Sequence, residues 1–463
     1  MVKVSVRDFI ISQIAALSPL NGCTDAIDLT QTVGEHQVAA PLLLGRVESR
    51  YGVTLREEGN VDLHMLTVDE FIHYVIKKLA KSASNQTDSK KVFENFVFSG
   101  RCTKLTSPYE INIDLTFRCN LRCIFCYASS ATIEEQQKEL TTDEVLDLID
   151  EFKKLNGAFV LFGGGEPFLR EDFLEIFKYT KSKGLWTYVI TNGSLITEEV
   201  AYEYAKYYNP LFDKIQVSLD GASPEINDRQ RGIAGAFEHT LDGIKNLVAT
   251  GKIKPIINTV VTQINYDDVP HILNLVIEHN ALTFRCLKLH KIGRGGASRL
   301  YEKLALTQAQ SDALFDFLNR RREELFGVIG IASDNACVFP MSVKAIRDQF
   351  QKRPGVVPAS YSCAAGTTKL AIAPDGGVVP CSYFYDFPEF SIGSLKKKSL
   401  KELWEEDAVW KDFREPLKIE GKCTACSYLY ACKTGCRIMA YVGCGSLGGP
   451  DMGCTYNPVD DSD

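Results

Sequence analysis

Cys119-Asn120-Leu121-Arg122-Cys123-Ile124-Phe125-Cys126, CNLRCIFC in one-letter form, sets three cysteines into eight residues. A structural zinc site takes four nitrogen or sulfur ligands and usually assembles them from C-x2-C pairs. Three thiols in a C-x3-C-x2-C spacing instead suit three corners of a cubane iron–sulfur cluster, whose fourth iron is left without a protein ligand. An open metal position is where chemistry happens. The stretch just before, EINIDLT (110–116), reads as a strand, so the cysteines follow a strand's carboxyl end.

Working outward, short apolar runs alternate with helical segments from about residue 107. EINIDLT, AFVLFGG, LWTYVITN, FDKIQVSLD, KPIINTVVTQ and LTFRCLKLH are rich in β-branched or aromatic residues, and TTDEVLDLIDEFKKL and AFEHTLDGIKNLVATG carry helical character between them. Six such units predict an α/β fold, a parallel sheet with helices outside that falls short of a closed eight-fold barrel. In parallel α/β sheets the chemistry gathers at the carboxyl ends of the strands, where these cysteines fall.

The flanks differ in character. Residues 1–83 read as a small all-α unit: Val6, Phe9, Ile10, Ile14 and Leu17 recur at helical spacing, as do Val68, Phe71, Ile72, Val75 and Leu79. Pro41 opens a middle helix through Leu43, Leu44, Val47 and Tyr51. This unit resembles an acyl-carrier-protein bundle, but Gln37 stands in GEHQVAA where that family's arm-bearing serine would fall. The resemblance therefore implies a docking or recognition module that engages a precursor peptide or a partner protein, not a working carrier. Residues 84–106 are polar and fit a linker. From about 336 the alternation stops, and glycine, proline and cysteine become frequent. A stretch with many thiols and little core of its own is what metal-stapled folds look like, so 336–463 is expected to be a second functional domain.

Composition narrows the function. The chain has 15 cysteines, three at 119–126 and eight between 363 and 454, and MVKVSVRDFI lacks the apolar core of a secretion signal. In a reducing compartment such thiols serve metal ligation or redox chemistry rather than disulfides, so a cytoplasmic protein is expected. With 52 basic against 59 acidic residues the net charge is −7, which leaves no basic footprint for nucleic acid. No apolar run reaches the length of about 18 residues that a membrane span needs.

Together these motifs resemble the radical S-adenosylmethionine (SAM) enzymes that end in a SPASM domain, over roughly 107–457. The resemblance implies a partial (β/α)6 radical SAM barrel over 107–335 and a Cys-rich iron–sulfur SPASM domain over 336–463. It implies that Cys119, Cys123 and Cys126 hold a [4Fe–4S] cluster whose open iron binds SAM, and that reductive cleavage yields a 5′-deoxyadenosyl radical. It places Phe125 near the adenine. In LFGGGEPFL, Gly164 and Gly165 let the backbone approach a ligand, and Glu166 is assigned with them to the methionine amine. Asn192 in TNGS, and Ser218 and Asp220 in VSLDG, match the polar lining for ribose and carboxylate. Arg231 in RQRGI suits a bidentate carboxylate clamp. No residue is singled out as the catalytic acid or base.

The C-terminal pattern is Cys363-x12-Gly376-x4-Cys381, then Cys423-x2-Cys426-x5-Cys432-x3-Cys436, then Cys454. This is the seven-cysteine SPASM signature, which implies two auxiliary clusters. Cys363, Cys381 and Cys436 are assigned to the first, and Cys423, Cys426, Cys432 and Cys454 to the second, a [4Fe–4S] centre. Seven thiolates cannot fill eight cubane positions. The first is then a [4Fe–4S] centre with an open or otherwise ligated iron, or a [2Fe–2S] centre. Some members of the class carry another cysteine shortly after the first, but Lys369 and its neighbours are not cysteines. Cys444 and Cys337 are candidate replacements, and a zinc ribbon on Cys423, Cys426, Cys432 and Cys436 is the bland alternative. Of the cysteines outside these sets (Cys23, Cys102, Cys286, Cys337 and Cys444), most are expected to be buried hydrophobes.

The expected activity is oxidative modification of a substrate, foremost a ribosomally made peptide, by cross-linking, oxidation or decarboxylation. The electron donor expected is a reductase or a flavodoxin- or ferredoxin-type protein. The alternatives are a small-molecule radical dehydrogenase or decarboxylase, a sulfatase-maturase-like enzyme, and, more distantly, an iron–sulfur electron carrier. The Gly-Gly-Glu-Pro element counts against the last, since an electron carrier needs no cosubstrate pocket.

Overall fold

The structure is a computed structural model that describes residues 107–131, 138–325, 327–333, 363–414, 418–426 and 434–454, together with Ile72 and Val75. Apart from those two residues, the unit over 1–83 with its Gln37 lies outside the described residues, as do the linker at 84–106 and Cys23, Cys102, Cys337 and Cys432.

The barrel strands are β1 (Glu110–Thr116), β2 (Phe159–Gly164), β3 (Trp186–Thr191), β4 (Lys214–Ser218), β5 (Ile256–Val261), β6 (Thr283–Lys288) and β7 (Gly330–Ser333). Between them run α1 (Thr142–Lys154), α2 (Phe173–Ser182), α3 (Glu198–Tyr207), α4 (Pro224–Arg231), α5 (Ala236–Ala249), α6 (Val269–Glu278), α7 (Ser298–Leu304) and α8 (Gln308–Glu324). Each strand pairs in parallel with the next, in sequence order. The six units read from the sequence are all present, and β7 adds a further strand beyond them.

The C-terminal region joins the same sheet. β8 (Lys369–Ile372) pairs in parallel with the free edge of β1, and β9 (Gly377–Val379) and β10 (Gly393–Ser394) follow antiparallel. Among the described residues the sheet is open, ordered β10-β9-β8-β1-β2-β3-β4-β5-β6-β7. The cysteine-rich region is therefore built onto the barrel's first strand.

Side chains alternate across the sheet. Ile111, Ile113, Val160, Phe162, Val189, Ile215, Val217, Ile257 and Phe284 share one face and are buried. The amphipathic helices supply the matching stripe, as Val145, Leu148, Ile149 and Phe152 of α1 do. That helix starts with a capping box: Glu144 N–H donates to Thr141 Oγ1 (3.2 Å), and Thr141 N–H donates to the Glu144 carboxylate (2.8 Å). The opposite face carries Asn112, Asp114, Tyr188, Gln216, Asn258 and Arg285. A polar lumen thus faces the strand ends that bear the cysteines.

Candidate functional site

The loop after β1 has no regular structure, so other elements must hold it. Arg122 N–H donates to Arg231 C=O (2.9 Å) and Ile124 N–H to Gln230 C=O (3.0 Å), which fastens the cysteines to the end of α4. The Arg294 guanidinium donates to Cys123 C=O (3.0 Å) and Ser130 C=O (2.8 Å), while its backbone N–H reaches Cys126 C=O (3.0 Å). Cys119 is buried, and Cys123 and Cys126 are half-buried.

Each sulfur has a polar neighbour. Leu121 N–H donates to Cys119 Sγ at 3.4 Å, an Arg231 guanidinium nitrogen lies 3.6 Å from Cys123 Sγ, and Ser130 Oγ lies 3.3 Å from Cys126 Sγ. Burial pushes the Cys119 thiol up to about 12, helped by Glu166 and by Cys123 and Cys126 beside it. Burial also raises Cys123, against the pull of Arg231. Thiols crowded in this way ionise when a metal replaces their protons, since ligand deprotonation accompanies metal binding. The donor set therefore fits an iron–sulfur cluster. Among the described residues no three Cys, His, Asp or Glu side chains converge closely enough to grip a single ion. Cluster ligands sit on separate irons and need no such convergence.

The end of β2 is zipped against the same loop. Gly165 N–H donates to Thr116 C=O (2.6 Å) and Glu166 N–H to Arg118 C=O (3.0 Å). Gly164 has φ +111°, and a Cβ there would stand 2.2 Å from Thr116 C=O. A Cβ on Gly165 would stand 2.0 Å from Arg118 C=O, which is backbone and has nowhere to go. Gly165→Ala is accordingly expected to lower iron content and thermal stability, at a cost of about 1–3 kcal/mol as for other overpacked sites. Iron analysis and a denaturation midpoint check this.

Glu166 is fully buried and already engaged. It accepts from Thr191 Oγ1 (2.7 Å), Asn192 N–H (2.7 Å) and Phe168 N–H (3.2 Å), and burial pushes its carboxyl up to about 7 against those bonds. Its first visible task is to brace β2 against β3. Asn192 likewise braces, with Nδ2 donating to Asn120 Oδ1 (2.8 Å) and Oδ1 accepting from Ser194. Asp220 accepts from Val260 N–H (2.7 Å) and pairs with Arg231 at 2.5 Å, so the arginine fork is partly engaged within the protein. Ser218 is half-buried at the end of β4, opposite Asn258. Phe125 packs with Leu289 and Leu304, and Arg231 lies 5.7 Å from its ring centroid.

The C-terminal thiols form two groups. Cys363, Cys381 and Cys436 lie within electrostatic reach of one another. In a separate group Cys454 and Cys426 lie within electrostatic reach of Cys423, and burial followed by these two pushes Cys423 up to about 11. Cys444 is exposed near the second group, its Sγ donating to Ala440 C=O (3.2 Å). Cys286 is buried on the outer face of β6, where burial raises its thiol, as a core hydrophobe's would be.

Three residues escaped the sequence reading. Gly163 makes room for Asp114: a Cβ there would stand 2.9 Å from Asp114 Oδ1. Asp114 is buried in the lumen beside Tyr385 and Ser382, and burial pushes its carboxyl up to about 6. Arg294 clamps the cysteine loop. Asp114 was findable as one of alternate polar positions (Asn112, Asp114, Thr116) in an otherwise apolar strand; for Arg294 no local signal existed.

Comparisons with known proteins agree with this geometry. Residues 113–276 match the radical SAM superfamily, and residues 363–427 match an iron–sulfur cluster-binding domain, SPASM. An AdoMet-dependent heme synthase of Methanosarcina barkeri is 30% identical over 360 residues, covering 76% of this chain and 97% of the relative. A mycofactocin maturase, MftC, of Mycolicibacterium smegmatis is 30% identical over 350 residues, covering 76% and 83%. In fold, the chain resembles Streptococcus suis SuiB bound to its precursor peptide SuiA, with TM-score 0.64, 18% identity and coverage of 90% and 87%.

Proposed function

This chain belongs to the radical SAM superfamily and carries a SPASM domain, and from that membership we propose that it is a cytoplasmic enzyme that oxidatively modifies a ribosomally made peptide. The chemistry supplied by the first cluster, when bound, is one-electron cleavage of the SAM sulfonium, giving methionine and a radical that takes hydrogen from substrate. Cys119, Cys123 and Cys126 would hold that cluster. Gly164, Gly165 and the last free lone pair of Glu166 would receive the methionine amine. Asn192, Ser218 and the Asp220–Arg231 pair would line the ribose and carboxylate, with Phe125 near the adenine. Cys363, Cys381 and Cys436 would hold the first auxiliary cluster. Cys423, Cys426, Cys432 and Cys454 would hold the second, a [4Fe–4S] centre. Electrons would come from a reductase or a flavodoxin- or ferredoxin-type donor.

The observation that favours a peptide lies in the lumen. Asn112 and Asn258 turn buried Oδ1 atoms inward for which no group among the described residues is a hydrogen-bond partner. A buried acceptor without a donor is costly, and backbone N–H groups of a substrate would satisfy both once these side chains rotate toward it. A second reading has its own support, because the heme synthase relative is as similar as the maturase.

The anaerobically reconstituted protein is expected to form 5′-deoxyadenosine with dithionite and SAM. It is then expected to change the mass of a short peptide encoded beside its own gene. Turnover of an iron porphyrin with no mass change in the peptide would favour the second reading. No 5′-deoxyadenosine from a fully loaded protein would contradict both.

A further inference from the structure

We propose that Lys369 closes the open corner of the first auxiliary cluster: its ammonium faces the position that a fourth thiolate would take, blocks direct ligation there, and leaves the cluster an electron acceptor rather than a substrate-binding centre. The inference rests on the assignment of Cys363, Cys381 and Cys436 to one cluster.

Three features bring Lys369 to that corner. A tight turn folds the Cys363 segment back on it, with Lys369 N–H donating to Ala364 C=O (3.1 Å) and Gly366 N–H to Lys369 C=O (2.8 Å). The hairpin of β8 and β9 pairs Ala371 with Val379. Continued past the last residue of β9, that register points Lys369 toward Cys381, and the ammonium and this thiol act electrostatically on each other. Cys436 completes the set: after Glu110, the thiols that act electrostatically on the Lys369 ammonium are those of Cys381, Cys363 and Cys436.

Glu110 explains why the side chain stays there. It is the register partner of Lys369 across β1 and β8, and its carboxylate lies 3.7 Å from the ammonium. Lysine is protonated at neutral pH, and an ammonium has three donors and no lone pair, so it cannot ligate iron. It can hydrogen-bond a cluster's sulfurs and offset their charge, which raises the reduction potential. β1 also serves as a ruler. Glu110 opens the strand beside the auxiliary thiols, and Cys119 follows its far end. Asp114 lies between, about 13 Å from Glu110 at the usual rise per residue. A substrate in the lumen would therefore have the radical source at one end and an electron acceptor with a closed corner at the other.

The test is electron paramagnetic resonance of the reduced holoenzyme with SAM saturating, so that the first cluster's own open iron is filled. 2-Mercaptoethanol is the added ligand. The wild-type auxiliary signal is expected not to respond. In Lys369→Ala the signal is expected to shift on thiol addition, and its midpoint potential to move negative. Lys369→Cys is expected to keep full iron content and to lose the response again, its own thiolate occupying the corner. A wild-type signal that shifts as the alanine variant's does would overturn the proposal, as would an alanine variant that neither responds nor changes potential. Cys381→Ala separates the underlying assignment: it should lose this signal and its share of iron. If both persist, the cluster assignment itself fails, and the proposal with it.

Discussion

Cys123→Ala, loaded with iron and sulfide without air, is expected to form no measurable 5′-deoxyadenosine from SAM while still folding. Cys123 is one of three thiols on a loop whose shape is set mainly by backbone carbonyl contacts from Arg294, Arg231 and Gln230, and all of these survive loss of the side chain. The change removes a corner of the cluster and takes away the sulfur 3.6 Å from the Arg231 guanidinium, which keeps its pairing with Asp220. Partners merely behind a metal ligand cost 10–100-fold when lost, so losing the ligand itself should lower cleavage by more than about 100-fold. Iron content should fall by one cluster's share. The readouts are 5′-deoxyadenosine by chromatography and iron per chain. Cleavage near the wild-type rate would remove Cys123 from the site.

Cys426→Ala is expected to behave in the opposite way. The second auxiliary group is stitched within its own segment: Cys426 N–H donates to Cys423 C=O (3.2 Å), Lys422 Nζ to Cys454 C=O (2.6 Å) and Glu420 N–H to Gly448 C=O (3.1 Å). None of these bonds involves the loop after β1. Sites without shared partners act nearly independently, so SAM cleavage should stay within about twofold of wild type. Product should fall by about 100-fold or more, as the route for the second electron is cut. Paired measurement of 5′-deoxyadenosine and product mass checks this. Equal loss of both in a soluble protein would refute the division of labour between the clusters.

Much of this was legible in the sequence, and for stated physical reasons. The cysteine loop follows EINIDLT, a short run that reads as a strand, and TTDEVLDLIDEFKKL carries the helical character that the structure shows as α1. β7 was not read because GIAS is four residues long and opens with glycine. β8 has four residues and β9 three, and β8 gains its place by adding to the edge of β1 from more than 250 residues away, which no local pattern encodes. The site residues show the same limit. Glu166, Asn192 and Arg231 were visible as residue types in motifs. Their partners were not, because a buried polar group takes whatever donor or acceptor the tertiary fold brings to it. Asp220 finding Arg231, and Lys369 finding Glu110 and three thiols, are outcomes of topology.

One measurement bears most directly on the three-cysteine loop. Protein purified and reduced without air is mixed with SAM carrying nitrogen-15 in its amino group, and the cluster signal is examined by electron–nuclear double resonance. A nitrogen-15 coupling to the cluster, absent from the Cys119, Cys123 and Cys126 alanine variants, is the predicted result. A loaded cluster that shows no such coupling, or one that persists unchanged in those variants, would contradict the account.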